Sequence, residues 1–573
     1  MLPLLLLLVV IANPAWRHLM TSQLRLIYQV PRVYAWTLRL DNVKGEYVPE
    51  SDPGEEQKAV NALGSAHPED YQIQLAQSLL TEFNHADNLP DDRVKRLDAL
   101  AGEFPARATV YAHMLRYETG REVKIRRNSE FENVVNEIPK SDIKLDPEEL
   151  RPPPDLSLRL DEFDRYAAAG EKLEPDNAYF PMMRAIGQFA ALNDNAAEES
   201  IRIAGSKQIW DDHLTDELQS DWVLGGQAFG DHSAALRAAI LGGVGSPHLA
   251  QLVDLGKAAL VAAIKLEKNG DIKQGASLRL AMMHCGSLMR RQAHTVRGAV
   301  AGCDIGYQQI YRPGGAPPIK ENVDFSQKER EEQRRTAFYN YVKSAGLASE
   351  IGFLQGEFPA ELVIQKSQKV IANSNASPYG KHALRVTSYW LVDCVLLANI
   401  VSVMIPVLIV TPLTVRKKLA SSTLTITLVI VFSVVVALST QLQWSQALTG
   451  LRVAFNNWIS ANSGSTDHSQ SGTITDNLFG SSALSILLSL IGPALLLGWM
   501  YYESRKSDIV MIDWIKLSMV RTGSLIASIF LVLYLGSIMV TARQDASLHH
   551  DLDQMIVNEG KFLASRTGTW WSP

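Results

Sequence analysis

Four long stretches of almost uninterrupted apolar sequence constrain this chain more than any other feature. They run from Ser388 to Val410, Leu419 to Thr440, Ser482 to Tyr502 and Thr522 to Thr541. A helix needs about 20 apolar residues to cross the hydrocarbon core of a bilayer. A buried helix of that length in a soluble protein would carry a polar stripe; these segments are rich in Leu, Ile and Val and almost free of charge. The pattern predicts four transmembrane helices, and so a partner in the lipid bilayer.

Basic residues set the expected orientation, because loops rich in Lys and Arg stay in the cytoplasm. The link between the first two spans carries Arg416, Lys417 and Lys418, and that between the last two carries Arg505, Lys506, Lys516 and Arg521. The long link between spans two and three carries only Arg452. Both basic links are therefore expected inside. The long link, the tail and everything before the first span are expected outside the cytoplasm. Lys381 and Arg385 oppose this arrangement, but large domains translocate largely regardless of charge. The apolar run Leu2 to Ala12 resembles a signal-peptide core, and Asn13-Pro14 ends it. It reads as an uncleaved or incomplete signal anchor, a fifth membrane passage. The expected setting is the bacterial plasma membrane, with the soluble domain in the cell envelope.

The chain is 573 residues long with a formal net charge of -6. Its mean hydropathy of -0.02 averages two unlike halves, one charged to about Lys381 and one apolar beyond. An acidic balance gives no global reason to bind nucleic acid. The expected organisation is a signal-anchor-like segment at 1–15, an amphipathic connector at 16–54 and a helical soluble domain at 55–380. Proline-rich connectors interrupt that domain near 137–154 and 311–320. Transmembrane helices one and two follow within 381–443, an interfacial helix and Ser/Gly-rich linker within 444–480, helices three and four within 481–541, and a tail at 542–573.

Within the soluble part the dominant pattern is helix, short turn, helix. Asp161 to Gly170 has helical apolar spacing and ends in Leu173-Glu174-Pro175-Asp176-Asn177; Ala178 to Leu192 follows, then Asn193-Asp194-Asn195, then Ala196 to Ala204. Proline and asparagine at those points stop one helix and open the next. Small residues fall where two helices must approach closely, at Ala185, Ala197 and Ala204, with Ile201 at the large apolar position. The pattern is echoed by Asp92 to Gly102 with Val110 to Tyr117, and by His248 to Lys268 with Ile272 to Arg290, where Ala276, Leu280 and Met283 take the packing positions. These pieces resemble a tetratricopeptide repeat, with Pro175 at the repeat-ending proline. The first helix lacks the family's tryptophan, leucine and tyrosine. The resemblance implies a mainly α fold: a superhelical stack with a concave surface for a protein or peptide partner.

Several residues stand out as candidates. Asp393 and Asn399 lie inside the first span, where an ionisable side chain is a functional hypothesis by default; an interfacial or structural role is the alternative. Pro406 and Pro412 are expected to kink or end that helix. After span two, Trp444, Leu448, Leu451, Phe455 and Trp458 share one helical face and form a candidate interfacial anchor. Cys285 and Cys303 are either a disulfide or two buried thiols. The basic runs 124–127 and 328–335 read as solvated, internally balanced faces. Ser326 to Ala345 is expected to be a charged helix lying near the membrane-proximal helices. His549-His550-Asp551 reads as a solvated helix start, and His284-Cys285 with His294 as core rather than a metal site.

No phosphate loop, HExxH, GxSxG or dinucleotide-binding glycine pattern occurs. No catalytic residue, cofactor or metal is therefore expected. The leading expectation is a membrane-anchored scaffold that binds a protein or peptide. The alternatives are a transport or assembly subunit whose membrane helices carry the activity, and an enzyme with an unfamiliar site.

Overall fold

The computed structural model describes residues 54–79, 90–119, 123–127, 130–131, 156–229, 246–315, 327–360, 378–415 and 511–562. A few single positions near 12–21, 234–237, 364 and 490–502 are also described. Among them the secondary structure is helical, with two isolated bridges as the only extended pairing. The chain divides into two compact units. One comprises 57–224, 244–374 and 554–573; the other comprises 1–56, 225–243 and 375–553.

The first unit is a stack of helices: α1 (Gly54–Ala66), α2 (Tyr71–Leu79), α3 (Pro90–Glu103), α4 (Ala108–Glu118), α5 (Leu156–Leu173), α6 (Tyr179–Ala190), α7 (Asp194–Gly205), α8 (Leu214–Phe229), α9 (His248–Lys268), α10 (Ile272–Gln292), α11 (Val296–Gln308) and α12 (Gln327–Ser344). Several chain neighbours pack on one another: α3 on α4, α4 on α5, α5 on α6, α6 on α7, α9 on α10 and α10 on α11. Turns of three to five residues join all of these pairs except α4 and α5, and force those neighbours to run antiparallel. The paired-helix pattern read from the sequence is present: α9 matches its apolar spacing at both ends, α6 is slightly shorter than read, and α3, α4, α5, α7 and α10 run longer.

The local reasons are visible at the turns. Between α6 and α7, Leu192 adopts a left-handed φ of 60°. Asn193 then caps α7, its side chain accepting from the Ala196 amide at 3.4 Å. Between α9 and α10, Gly270 takes φ 96°, and the Asp271 amide reaches back to the Leu266 carbonyl at 3.0 Å. That is the six-to-one bond of a Schellman stop. Ala185, Ala197, Ile201 and Ala204 are all fully buried, as their spacing predicts.

The tightest approach is between α10 and α11. A Cβ built on Gly302 would lie 2.5 Å from the Gly286 carbonyl oxygen, and one on Gly286 would lie 2.6 Å from the Gly302 oxygen. Backbone therefore meets backbone at this crossing, and glycine is what allows it. Helix α12 packs through Phe338, Tyr341 and Val342, with Ala345 just past its end, against Ala276, Leu280 and Met283 of α10. It thus contributes to the core of this unit. Its apolar residues at i, i+3, i+4 and i+7 outweigh the charged first half. Burying side chains such as Phe338 and Phe358 is worth roughly 1.5–3 kcal/mol each.

In the second unit, α13 runs from Pro378 to Val415 and α14 from Met511 to Val557, its last residues entering the first unit. Of the four expected spans, one described helix, Thr522–Val557, is long and apolar enough to cross a membrane; Tyr389–Ile405 is a shorter apolar helix. Span two lies outside the described residues, and span three is described only at a few positions. Helix α13 continues through Pro406 and Pro412, which neither end nor break it. Helix α14 likewise continues past the expected boundary at 541. His549 and Asp551 therefore sit in its last turns and not at a helix start, and Asp551 is buried. Leu525, Ile529, Val532, Leu533, Met539 and Val540 present an exposed apolar face on α14.

Candidate functional site

A gathering of ionisable side chains lies in the first unit, where segment 206–213 leads into α8. Asn177, from the turn after α5, sews this segment down. Its amide donates to the Asp211 carbonyl at 2.9 Å and to Glu174 at 2.8 Å. Its oxygen accepts from the amides of Asp211 at 3.1 Å and Tyr179 at 3.0 Å. Gln292 clamps the far side, taking the Trp210 amide at 2.7 Å and donating to the Gln208 carbonyl at 3.0 Å.

His213 sits at the centre with a left-handed φ of 56°, a conformation that costs a non-glycine residue about 1–3 kcal/mol unless its surroundings enforce it. Here they do. Nδ1 lies 2.9 Å from Asp216 and Nε2 lies 3.1 Å from Glu174. The Thr109 hydroxyl donates to the same Asp216 oxygen at 2.8 Å. Burial disfavours the charged ring, but the two carboxylates outweigh it and push its pKa up to about 10. Asp216 and Glu174 are held below the usual carboxylate range, because the His213 interaction overcomes their partial burial.

Two further pairs adjoin it. Arg116 of α4, fully buried, meets Glu217 of α8 at 2.7 Å; His113 lies beside both, and the Tyr117 hydroxyl donates to Glu217 at 3.1 Å. Asp212 contacts Nε2 of buried His248, the first residue of α9, at 3.2 Å. Burial holds His248 below its ordinary range despite Asp212, and Asp212 is lowered despite its own burial. The arrangement consistent with both directions is a neutral imidazole whose Nε2–H donates to an ionised Asp212. The Trp210 indole N–H and the His248 Nδ1 are buried without a protein partner.

The cluster contains residue types used in acid–base and nucleophilic catalysis, yet its geometry does not suit either. A general base needs a nitrogen with an available lone pair facing substrate. Both His213 nitrogens face carboxylates, and the ring is cationic at neutral pH. Thr109 already donates to Asp216. What the arrangement does is fasten α4, the α5–α6 turn and the start of α8 together.

Elsewhere in this unit, Arg279 is fully buried, bidentate to Glu267 at 2.6 and 3.0 Å, and donates to the carbonyls of Gln309, Tyr311 and Arg312. Arg290 pairs with Glu357 at 2.7 Å, with Ser287 completing the group. In the 124–127 run, Arg126 is exposed and Lys124 partly so, but Arg127 is 8 % exposed and paired with Asp194 and Glu130. Glu130 is the local partner that charge balance implied; Asp194 is distant in sequence and was not. In the 328–335 run, Arg334 and Arg335 lie over the rings of Tyr311 and Phe358.

Cys285 and Cys303 are both buried as thiols and not joined as a disulfide. Burial pushes the Cys285 thiol up to about 12, so it is unreactive at neutral pH. His284 stacks on Phe353 and contacts Glu350, and His294 faces Asp211 at 4.0 Å. No metal-holding group of His, Cys, Asp or Glu occurs among the described residues.

In the second unit, Asp393 and Asn399 are each 1 % exposed. The Asn399 amide is used within its own helix, donating to the Val395 carbonyl at 2.8 Å. Asp393 faces Ser537, Thr541 and Tyr534 of α14. The proposed interfacial anchor, Trp444, Leu448, Leu451, Phe455 and Trp458, lies outside the described residues.

Sequence reasoning missed the His213 cluster. Its members are scattered from 109 to 248 and share no motif spacing. The one available signal was the run Asp211-Asp212-His213 ahead of a helix. No known protein family, curated protein or solved structure matches the chain.

Proposed function

We propose that this protein is a membrane-anchored helical scaffold whose repeat-like stack binds a protein or peptide partner. The observation that carries the reading is the run of short-turned antiparallel helices packing on their chain neighbours, in the same polypeptide as one helix long and apolar enough to cross a membrane. Ion pairs buried between distant segments, at Arg116–Glu217, Arg279–Glu267 and Arg290–Glu357, brace that stack. A braced platform loses little conformational entropy on binding, which favours recognition. The ionic cluster offers no disengaged base or nucleophile that would favour catalysis.

Chain topology supports an even number of membrane crossings. Residues 244–374 and 554–573 belong to one compact unit. The Glu559 amide donates to the His294 carbonyl at 2.9 Å, and the Val296 amide donates to the Glu559 carboxylate at 2.9 Å. The two segments must share one side of a membrane, so the chain between them crosses an even number of times. Four crossings, with the soluble stack and the tail outside, satisfy both this parity and the positions of the basic links.

The test is photo-crosslinking of the full-length protein in its native membrane from exposed apolar positions on the stack. Leu173, Leu192, Ile209 and Ile272 are each more than a third exposed. A discrete adduct from one or two of them, absent when the probe sits at buried Ile201, supports a scaffold. No position giving an adduct above the Ile201 background would overturn it.

A further inference from the structure

The second unit contains a side chain that the scaffold reading does not use. Asp393 is 1 % exposed, within an apolar segment of α13. The groups around it are oxygen-bearing and uncharged: Ser537, Thr541 and the Tyr534 phenol. None completes a hydrogen bond of good geometry to either carboxylate oxygen, and the Tyr534 hydroxyl is itself without a partner. The Thr541 hydroxyl is spent on the Ser537 carbonyl of its own helix, at 3.1 Å.

A carboxylate in an apolar interior must acquire a compensating charge or lose its own. The chain's own membrane segments do not supply one, since Asp393 is the sole Asp, Glu, Lys or Arg in the four apolar stretches. The titratable side chains that face it among the described residues are Tyr534 and Cys394, neither of them basic. A lysine or arginine from a partner helix would require the carboxylate to lie on the lipid-facing surface. The exposed face of α14 instead consists of Leu525, Ile529, Val532, Leu533, Met539 and Val540. What fits an enclosed carboxylate ringed by hydroxyl oxygens is a small monovalent cation: hard, oxygen-seeking and needing no stem.

We propose that Asp393, with Tyr534, Ser537 and Thr541, forms a reversible binding site for a small monovalent cation, either a proton or an alkali ion. Binding a proton makes a neutral acid that donates to one of the three hydroxyls. Binding an alkali ion leaves the carboxylate as an anionic ligand, with the hydroxyl oxygens completing the shell. The site rests on the membrane placement of α13 and α14 but not on the scaffold's partner.

The test is infrared difference spectroscopy on the full-length protein reconstituted in liposomes, comparing wild type with Asp393→Asn. The carboxylic-acid carbonyl band of Asp393 is followed from acid to alkaline pH, once in choline buffer and once in sodium or lithium buffer. A proton site shows the band at low pH and loses it as pH rises, with the same midpoint in both salts. An alkali-ion site loses the band on adding sodium or lithium at fixed pH. Either result supports the proposal. A band absent at every pH in both salts means a permanently ionised carboxylate paired with a protein cation. A band unchanged throughout means a permanently neutral structural acid. Each of those overturns the proposal. If Asp393→Asn does not fold, Asp393→Glu serves instead, shifting the band where the asparagine deletes it. Resistance of the same protein to alkaline carbonate extraction reads the membrane placement separately, so its failure is distinguishable from failure of the site.

Discussion

Replacing Gly302 with alanine tests whether backbone contact at the α10–α11 crossing holds the stack together. The new Cβ would lie 2.5 Å from the Gly286 oxygen and 2.7 Å from the Arg290 amide nitrogen. Optimal carbon separations are about 3.5 Å or more, so the helices must part by about 1 Å. Neither obstacle is a flexible side chain. A radial gap of that size forfeits up to about half of each dispersion contact along the interface, and overpacking of this kind costs about 1–3 kcal/mol. Alanine's higher helix propensity returns at most about 1 kcal/mol. The net expectation is a loss of about 2 kcal/mol, read as a lower urea midpoint for the full-length protein in detergent. Gly102, on α3, provides the opposite case, because a Cβ there meets nothing within 4 Å. Gly102→Ala should stabilise the protein by about 0.5–1 kcal/mol. If the two substitutions shift the midpoint equally, the inferred close approach of α10 and α11 is wrong.

Arg279→Met removes the counter-charge that Arg279 gives Glu267 in the core and should cost about 3–5 kcal/mol, whereas the double change with Glu267→Leu should recover most of it; equal midpoints for single and double variants would refute the pairing. The His213 ring, raised from 6.5 to about 10, contributes stability in full below pH 6.5 and loses it as pH climbs to 10. Since its carboxylate partners are more than a third exposed, the loss should be about 1–2 kcal/mol and absent in His213→Asn. Burial raises Glu559 from 4.5 to about 7; the neutral acid is favoured in the fold, so docking of the tail weakens by about 3 kcal/mol as pH rises from 4.5 to 7. Hydrogen exchange around 558–562 should report this, with Glu559→Gln flattening the pH dependence. Protease added to intact spheroplasts should attack the helical stack and a C-terminal epitope together, and protection of one alone would contradict the even number of crossings.

What the sequence made legible was periodic. Helical spacing located α9 to its ends, and small residues at Ala185, Ala197 and Ala204 marked close packing, because each is a local property of one or two turns. The His213 cluster was invisible for the opposite reason. Thr109, Glu174, His213 and His248 come together only when the stack is assembled, and a buried ion pair carries no periodic signature. The charged first half of α12 and the aromatic residues near its end were legible, but their partners Ala276, Leu280 and Met283 on α10 were not, because a contact between distant helices has no local signature. Asp393 was legible as a candidate from its apolar context alone, but its neighbours on α14 were not, since a residue near 540 has no sequence relation to one at 393.

The discontinuity of the first unit governs when it can finish folding. Its final strip, 554–573, emerges from the ribosome only after the whole of 375–553 has been made. Until then the Val296 amide at the start of α11 has no Glu559 carboxylate to receive it, and the surface that the tail covers stays open. Synthesis of the apolar segments therefore precedes completion of the stack in every round. A chain cut short just before Glu559 would carry α13 and α14 intact and yet display an unfinished first unit, a state that quality-control proteases could recognise at the exposed start of α11.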